Sequence, residues 1–349
     1  CFFFFLHWAT NVVGVFPVGG HKKVRVALGS LCLGLCALWM APAKASPEVS
    51  TLHVKTVASV KKSRYVRAHR PRAVPARPSV GQLSGLHATG DPLELRSSVA
   101  LVLDQDTNEV LLAKNPQAVL PIASITKLMT ALVVSDAGLA LDETLAISAE
   151  DVDTAKGSRS RLRVGLALTR EEMLHLALMA SENRAAHALG RHYPGGMAAF
   201  VAAMNRKAAA LGMSDTHFVE PTGLSSQNRS TAADLALLVR EADKSELIRR
   251  LSTSPEAAVA VGARLLNFRN TNALVRKGEW EIGLQKTGYI AEAGRCLVMQ
   301  AQLAGRNLIF VLLDSTGKYS RIGDAERIRR WLVEGTANAT TTLSAGPLS

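Results

Sequence analysis

The stretch S98-VALVLDQDTNEVLLAK-N115 holds two β-rich runs of alternating and branched apolar residues around Asp-Gln-Asp-Thr-Asn. Residues of that kind, broken by a cluster with turn chemistry, read as a β-hairpin that opens a folded domain. Working outward from it, the chain turns helical. Thr169-Arg-Glu-Glu172 and Thr231-Ala-Ala-Asp234 look like capping-box starts, followed by MLHLALMA and LALLV at helical spacing. GGMAAFVAAMNRKAAALG is a third helix, closed by Gly212. After Trp280 strands return as GLQKTGY, RCLVMQAQLA and NLIFVLLDS, with Gly305-Arg306-Asn307 expected to turn between the last two, and AERIRRWLVEG makes a final helix. Strands at both ends with helices between them predict an α+β domain, in which the terminal strands share one antiparallel sheet flanked by helices and the middle forms a mainly helical lobe.

On the N-terminal side of the hairpin the composition changes. The chain has 349 residues with 48% hydrophobic content, enough for a sizeable core, and a net charge of +12. That charge is unevenly spread. Residues 1–45 hold four Lys/Arg and no acids, residues 46–97 nine against three, and the remainder 28 against 26. KKSRYVRAHRPRAVPARPSVGQLSG, residues 61–85, has seven basic side chains, three prolines and no acid, which predicts an extended tether. A tether of this kind is a solvated spacer or makes contact with an anionic surface.

Residues 21–45, HKKVRVALGSLCLGLCALWMAPAKA, run from a basic start through an apolar stretch to Ala43-Lys44-Ala45. This is the pattern of a cleaved signal peptide, with a membrane anchor as the other reading, and it predicts export with Ser46 first in the mature chain. Nucleic acid is then no partner. CFFFFLHWATNVVGVFPVGG precedes that pattern and is set aside from the fold. The expected organisation is an upstream segment and signal over 1–45, a basic Pro-rich linker over 46–97, a folded domain over 98–335 and an unstructured tail over 336–349.

Within the domain, PIASITKLMTALVV (residues 121–134) puts Lys127 three residues after Ser124 at the head of an apolar helix. Positions i and i+3 share a helix face, so hydroxyl and amine can meet. Burial lowers a lysine pKa and makes the amine a base for the hydroxyl; a lysine whose stem snorkels to the surface is the other reading. Ser181-Glu182-Asn183 follows the apolar helix, where hydroxyl and amide can face a cleft. Lys286-Thr287-Gly288 heads a strand and offers a cation, a hydroxyl and a glycine that admits a close backbone approach. Cys296 is the one cysteine after position 36, so neither an internal disulfide nor a cysteine metal cluster is available to the mature chain. His187 and His192 are five apart and no His-Glu-x-x-His string exists, which argues against a zinc peptidase; no metal or other cofactor is expected. His175 reads as a packed histidine with one partner.

Ser-x-x-Lys, Ser-x-Asn and Lys-Thr-Gly in this order resemble the penicillin-binding serine DD-peptidases and β-lactamases. SENRAAHALGRHYPGG, THFVEPTGLSSQNRST, RNTNALV and LQKTGYIAEAGRCLVM are similar to the low-molecular-mass D-alanyl-D-alanine endopeptidases of Gram-negative periplasms. The resemblance implies a DD-peptidase fold over about residues 98–335. It also implies an acyl-enzyme on Ser124, Lys127 as base, Ser181 relaying a proton with Lys286, and Asn183 holding the substrate backbone. Thr287 and Gly288 would hold the substrate strand, and the N–H groups of Ser124 and Tyr289 would form the oxyanion hole. Peptidoglycan peptides are the implied substrate and β-lactams the implied covalent inhibitors. A DD-carboxypeptidase, a non-catalytic wall-binding protein and a β-lactamase are the alternatives. The last needs a deacylating glutamate, and Glu220 in VEPTGL lacks the register for it, so a loop role is expected there.

Overall fold

The computed structural model describes residues 77–261 and 264–344, all within one compact unit, with the backbone alone described at Val261 and over 336–344. A five-stranded antiparallel sheet in the order β2-β1-β11-β10-β9 forms its frame. β1 (Ser97–Asp104) and β2 (Val110–Lys114) are the opening hairpin; β9 (Glu281–Ile290), β10 (Gly294–Leu303) and β11 (Arg306–Ser315) come from the other end of the domain. β1 pairs with β11 from Ser97–Ser315 to Asp104–Leu308, so the two ends of the domain are hydrogen-bonded to each other. The last hairpin turns on Ala304 and Gly305, both at positive φ (52° and 75°), rather than on Gly305-Arg306-Asn307 as expected; Leu303 pairs directly with Arg306. Two left-handed residues match the twist of the flanking strands, which is why a two-residue loop suffices.

Both faces of the sheet are covered. Val99, Leu101 and Leu103 of β1 enter the larger core under the helical lobe, while Ala100 and Val102 enter a smaller core with Trp280 and Ile328. A strand buried on both sides has no polar face, so β1 reads as an unbroken apolar run. The lobe comprises α2 (Thr126–Asp136), α3 (Arg170–Met179), α4 (Asn183–Arg191), α5 (Gly196–Ala210), α6 (Ala232–Asp243) and α7 (Glu246–Thr253). Every residue of α2 from Thr126 to Val134 is buried, so this helix lies at the centre of the domain. The capping box at Thr169 forms with Glu172 as expected. At Thr231 only half of it forms: the hydroxyl caps Asp234 N–H, and the Asp234 carboxylate turns to Asp215 N–H and Thr216 instead.

Short pairs β3 (Leu120–Pro121) with β6 (Arg229–Ser230), β4 (Thr144–Ala146) with β5 (Ala167–Thr169), and β7 (Glu256–Val261) with β8 (Arg264–Arg269) interrupt the helices. Two further helices, α1 (Val80–Leu83) and α8 (Ala273–Lys277), precede α9 (Ser320–Ser344).

Two boundaries differ from expectation. Residues 79–97, assigned to the linker, are folded onto the domain. Ser79 and Gln82 cap one another, Val80 N–H donates to Glu292 O at 2.9 Å, and the Asp91 carboxylate takes Lys114 Nζ at 2.8 Å. At the other end α9 runs on to Ser344, over residues expected to form an unstructured tail. The signal pattern and most of the basic linker lie outside the described residues.

Candidate active site

A turn over Ile122–Ile125 carries Ser124 into the head of α2. Ala123 sits at φ +48°, a left-handed conformation that an alanine adopts only when its surroundings enforce it. Two glycines do the enforcing. A Cβ on Gly223 (φ +81°) would lie 1.9 Å from Ala123 O, and a Cβ on Gly288 of β9 would lie 3.1 Å from Ser124 N, Ile122 O and the Ala123 methyl. Only glycine lets the 223 loop and the edge strand press against this turn from two sides.

One turn into α2, Lys127 is completely buried, and its Nζ meets Ser124 Oγ at 2.8 Å, Asn183 Oδ1 at 2.7 Å and the Thr222 carbonyl at 2.5 Å. The amine does not snorkel. Burial depresses its pKa from 10.5 to about 7, against the opposing pull of Glu220 and Glu182. A neutral amine keeps two N–H bonds and one lone pair. Asn183 Oδ1 and Thr222 O, which can only accept, take the two N–H groups, so the lone pair faces the Ser124 hydroxyl.

Opposite this pair, Ser181 is held at φ +61° between α3 and α4, and its Oγ meets Lys286 Nζ at 2.9 Å. Lys286 is fully buried and also donates to Thr287 O. Its pKa lies well below the ordinary value, first because of burial and then because of the positive Lys127 and Arg321. Thr287 Oγ1 donates to Thr271 Oγ1 at 2.6 Å, and the Tyr289 side chain is exposed at the cleft mouth. All eight residues singled out in the sequence, from Ser124 to Tyr289, are thus brought around one cleft of about 280 Å³, or stand directly behind its wall.

Sequence reasoning missed four contributors. Ser158 accepts from Asn183 Nδ2 at 3.0 Å and so fixes which way the amide points. Thr222 supplies a carbonyl, and Thr271 a hydroxyl. Arg321 of α9 lines the cleft with Nε and Nη1 buried and without hydrogen-bond partners. Nothing local in Y319-SRI-G323 marks that arginine; its role arises only when α9 packs across the sheet. By contrast, residues 158–162 carry a readable alternation. Glu182 Oε2 accepts from Ser160 Oγ at 2.6 Å, Asn183 takes Ser158, and Arg184 Nη1 donates to Leu162 O at 2.7 Å, so three consecutive residues hold every second position of an extended strap.

The bland residues sort themselves by contact. The Glu220 carboxylate accepts from Thr222 N and Oγ1, Gly223 N, Ser225 N and Asn228 Nδ2, which leaves it no lone pair for activating water. His187 Nδ1 pairs with Asp151 at 2.7 Å, and His192 Nδ1 with its own helix at Ala188 O. Among the described residues no group of His, Cys, Asp or Glu has the arrangement to hold a metal ion. His175 is half-buried, but its Nε2 has no partner where one was expected. Cys296 is buried, and burial pushes its thiol up to about 12.

A sheet with its edge strand against an activated serine, and a helical lobe closing the other side, defines a serine peptidase of the DD-peptidase and β-lactamase type. Residues 86–317 match the peptidase S11 family model, described as D-alanyl-D-alanine carboxypeptidase, and the chain belongs to that family. It is 51% identical over 248 residues to a D-alanyl-D-alanine endopeptidase of Pseudomonas aeruginosa, covering 70% of this chain and 80% of that one. The corresponding Escherichia coli endopeptidase is 46% identical over 265 residues, covering 75% and 86%. Among solved structures, the Streptomyces K15 DD-transpeptidase superposes with a TM-score of 0.64 at 28% identity, covering 68% of this chain and 97% of that one.

Proposed function

We propose that the chain is a serine D-alanyl-D-alanine endopeptidase that hydrolyses peptide cross-links of peptidoglycan and is acylated by penicillin. The observation that carries this reading is the buried, depressed lysine 2.8 Å from Ser124 Oγ. Ser124 Oγ attacks the carbonyl of the D-alanyl bond as its proton passes to Lys127 Nζ. The oxyanion is held by the N–H groups of Ser124 and Tyr289, an arrangement whose donors contribute about 10²-fold each. Ser181, backed by Lys286, delivers a proton to the departing amine; the bond to nitrogen breaks and an ester on Ser124 remains. Water then enters along the same proton path in reverse and frees the serine.

Asn183 and strand β9 hold the acyl portion, with Thr287 and Gly288 lining the strand. Arg321 takes the carboxylate of the residue that leaves, since it lines the cleft, two of its nitrogens have no partner and a guanidinium binds carboxylate in two-pronged fashion. The relatives named above support cross-link cleavage. The family description favours a second reading, removal of a terminal D-alanine, by the same chemistry. We place the enzyme in the periplasm on the signal pattern of residues 21–45, with the basic linker as a solvated spacer or a contact with an anionic surface. Among the described residues no helix is long and apolar enough to cross a membrane.

Residues 46–349, incubated with a cross-linked tetrapeptide–pentapeptide muropeptide dimer and analysed by mass spectrometry, test the proposal. Monomers formed by the wild type and not by Ser124→Ala are expected. Loss of one alanine with the dimer intact would replace the endopeptidase by a carboxypeptidase, and no change would leave a wall-binding protein.

A further inference from the structure

A second cleft of about 360 Å³ opens beside the first, and Tyr289 lines both. Its walls come from three separated places: the approach to α1, the start of β10 and the segment between β11 and α9. Each contributes a cation, namely Arg77, Arg295 and Lys318. The Arg295 guanidinium lies over the Tyr289 ring, 4.4 Å from its centre, and Lys318 Nζ lies 5.2 Å from the centre of the Tyr319 ring. None of the three cations is in an ion pair among the described residues.

The acids nearby are already engaged. Asp314, at the floor, is buried and held by His87 Nε2 and Ser98 Oγ, both at 3.0 Å, while Glu292 is bonded to Lys156 and also attracts Arg77 at a distance. Arg321, three residues beyond Lys318, carries unpaired buried N–H groups, and its cationic form is disfavoured by burial and then by Arg295. Three cations therefore line this cleft, with Arg321 in the neighbouring one, and the carboxylate the cleft itself contains, Asp314, is already taken up by His87 and Ser98. Like charges so placed repel one another, and an anion entering among them relieves that repulsion while making charge-assisted hydrogen bonds.

The chemistry of the two candidate substrates differs at this point. When a terminal D-alanine departs it carries one carboxylate, which Arg321 satisfies. When a cross-link is cut, the departing group is a second peptide with further free carboxylates along it. We propose that Arg77, Arg295 and Lys318 form a carboxylate-binding subsite for the departing peptide arm of a cross-linked substrate, and that this subsite selects cross-links over single stem peptides. The inference rests on the endopeptidase reading. It adds to that reading the side chains that distinguish one substrate class from the other, a matter on which the motifs around Ser124 are silent.

The test is the variant Arg77→Gln, Arg295→Gln, Lys318→Gln. Its acylation rate by a fluorescent penicillin, which lacks the departing arm, reports on fold and nucleophile and is expected to stay within about twofold of wild type. With the muropeptide dimer, kcat/KM is expected to fall at least tenfold, mainly through KM, while alanine release from a monomeric pentapeptide is unchanged. Equal losses on dimer and pentapeptide, or no loss on either, would overturn the subsite. Calorimetric binding of the intact dimer to Ser124→Ala, with and without the three substitutions, separates this inference from the activity. Dimer affinity at least tenfold weaker in the substituted form supports the subsite even if the wild type releases only alanine, and unchanged affinity refutes it even if the wild type cleaves cross-links.

Discussion

At the scale of single residues, everything turns on the protonation of Lys127. Its pKa falls from 10.5 to about 7 because the ammonium is removed from water. The competent form is the neutral amine, so acylation of Ser124 by a fluorescent penicillin is expected to rise with pH through about 7 and level off above it; a flat profile from pH 5.5 to 9 would refute the assignment. The same shift acts on stability with a definite sign. Between about 7 and 10.5 the unfolded chain binds a proton here that the folded chain does not, so this residue makes the fold more stable as pH rises through that window. Below it the cost of the buried charge is constant. Lys127→Arg keeps a charge that cannot be shed, and acylation is expected to drop by about 10³-fold or more. The pair was legible in the sequence because positions 124 and 127 need only one helical turn to meet. Arg321 was not, since it reaches the cleft from α9, and no local pattern announces a contact set by packing across a sheet.

At the scale of elements, the strap over residues 158–162 decides how Asn183 is presented. Three successive residues, Glu182, Asn183 and Arg184, hold it, and the buried Glu182, whose pKa is raised chiefly by burial, anchors its middle at Ser160. Glu182→Ala is expected to free the strap, lower the acylation rate about tenfold and cost roughly 1–3 kcal/mol of stability through the lost buried acceptor. Glu182→Gln keeps an acceptor for Ser160 and should stay near wild type in both. Limited trypsin digestion gives an independent reading, because Arg159 and Arg161 are exposed on the strap and cleavage there should accelerate in the alanine variant alone. Equal digestion of all three proteins would mean that the strap is held by other contacts. Helix starts such as Thr169 were readable from their caps, whereas the β7–β8 hairpin was not. Ala257, Ala258 and Ala260 give β7 little strand character of its own, and the pairing partner supplies what the residues lack.

At the scale of the whole molecule, the domain depends on residues that composition assigned to a tether. The basic, proline-rich run suggested that order begins at Ser98, but charge counting cannot see that Asp91 folds back onto Lys114. Both side chains are 3% exposed, and the lysine has Leu95 O as its second acceptor. A chain beginning at Ser98 would retain Lys114 and lose both acceptors, and an uncompensated buried charge of this kind costs about 3–5 kcal/mol. The Asp314 carboxylate would lose His87, Glu292 O would lose Val80 N–H, and Leu95 would leave the smaller core. Against a typical total of about 5–15 kcal/mol these losses are enough to unfold the domain. A chain beginning at residue 77 is therefore expected to unfold cooperatively in urea with full penicillin binding, and one beginning at 98 to show a much lower midpoint or no transition. Lys114→Met in the shorter chain separates the causes. Removing the stranded charge should restore about half of the lost stability if the buried ion pair dominates; no recovery would shift the weight to the missing apolar contacts of Val80, Leu86 and Leu95, and equal midpoints for the two lengths would show that residues 77–97 contribute nothing to the fold.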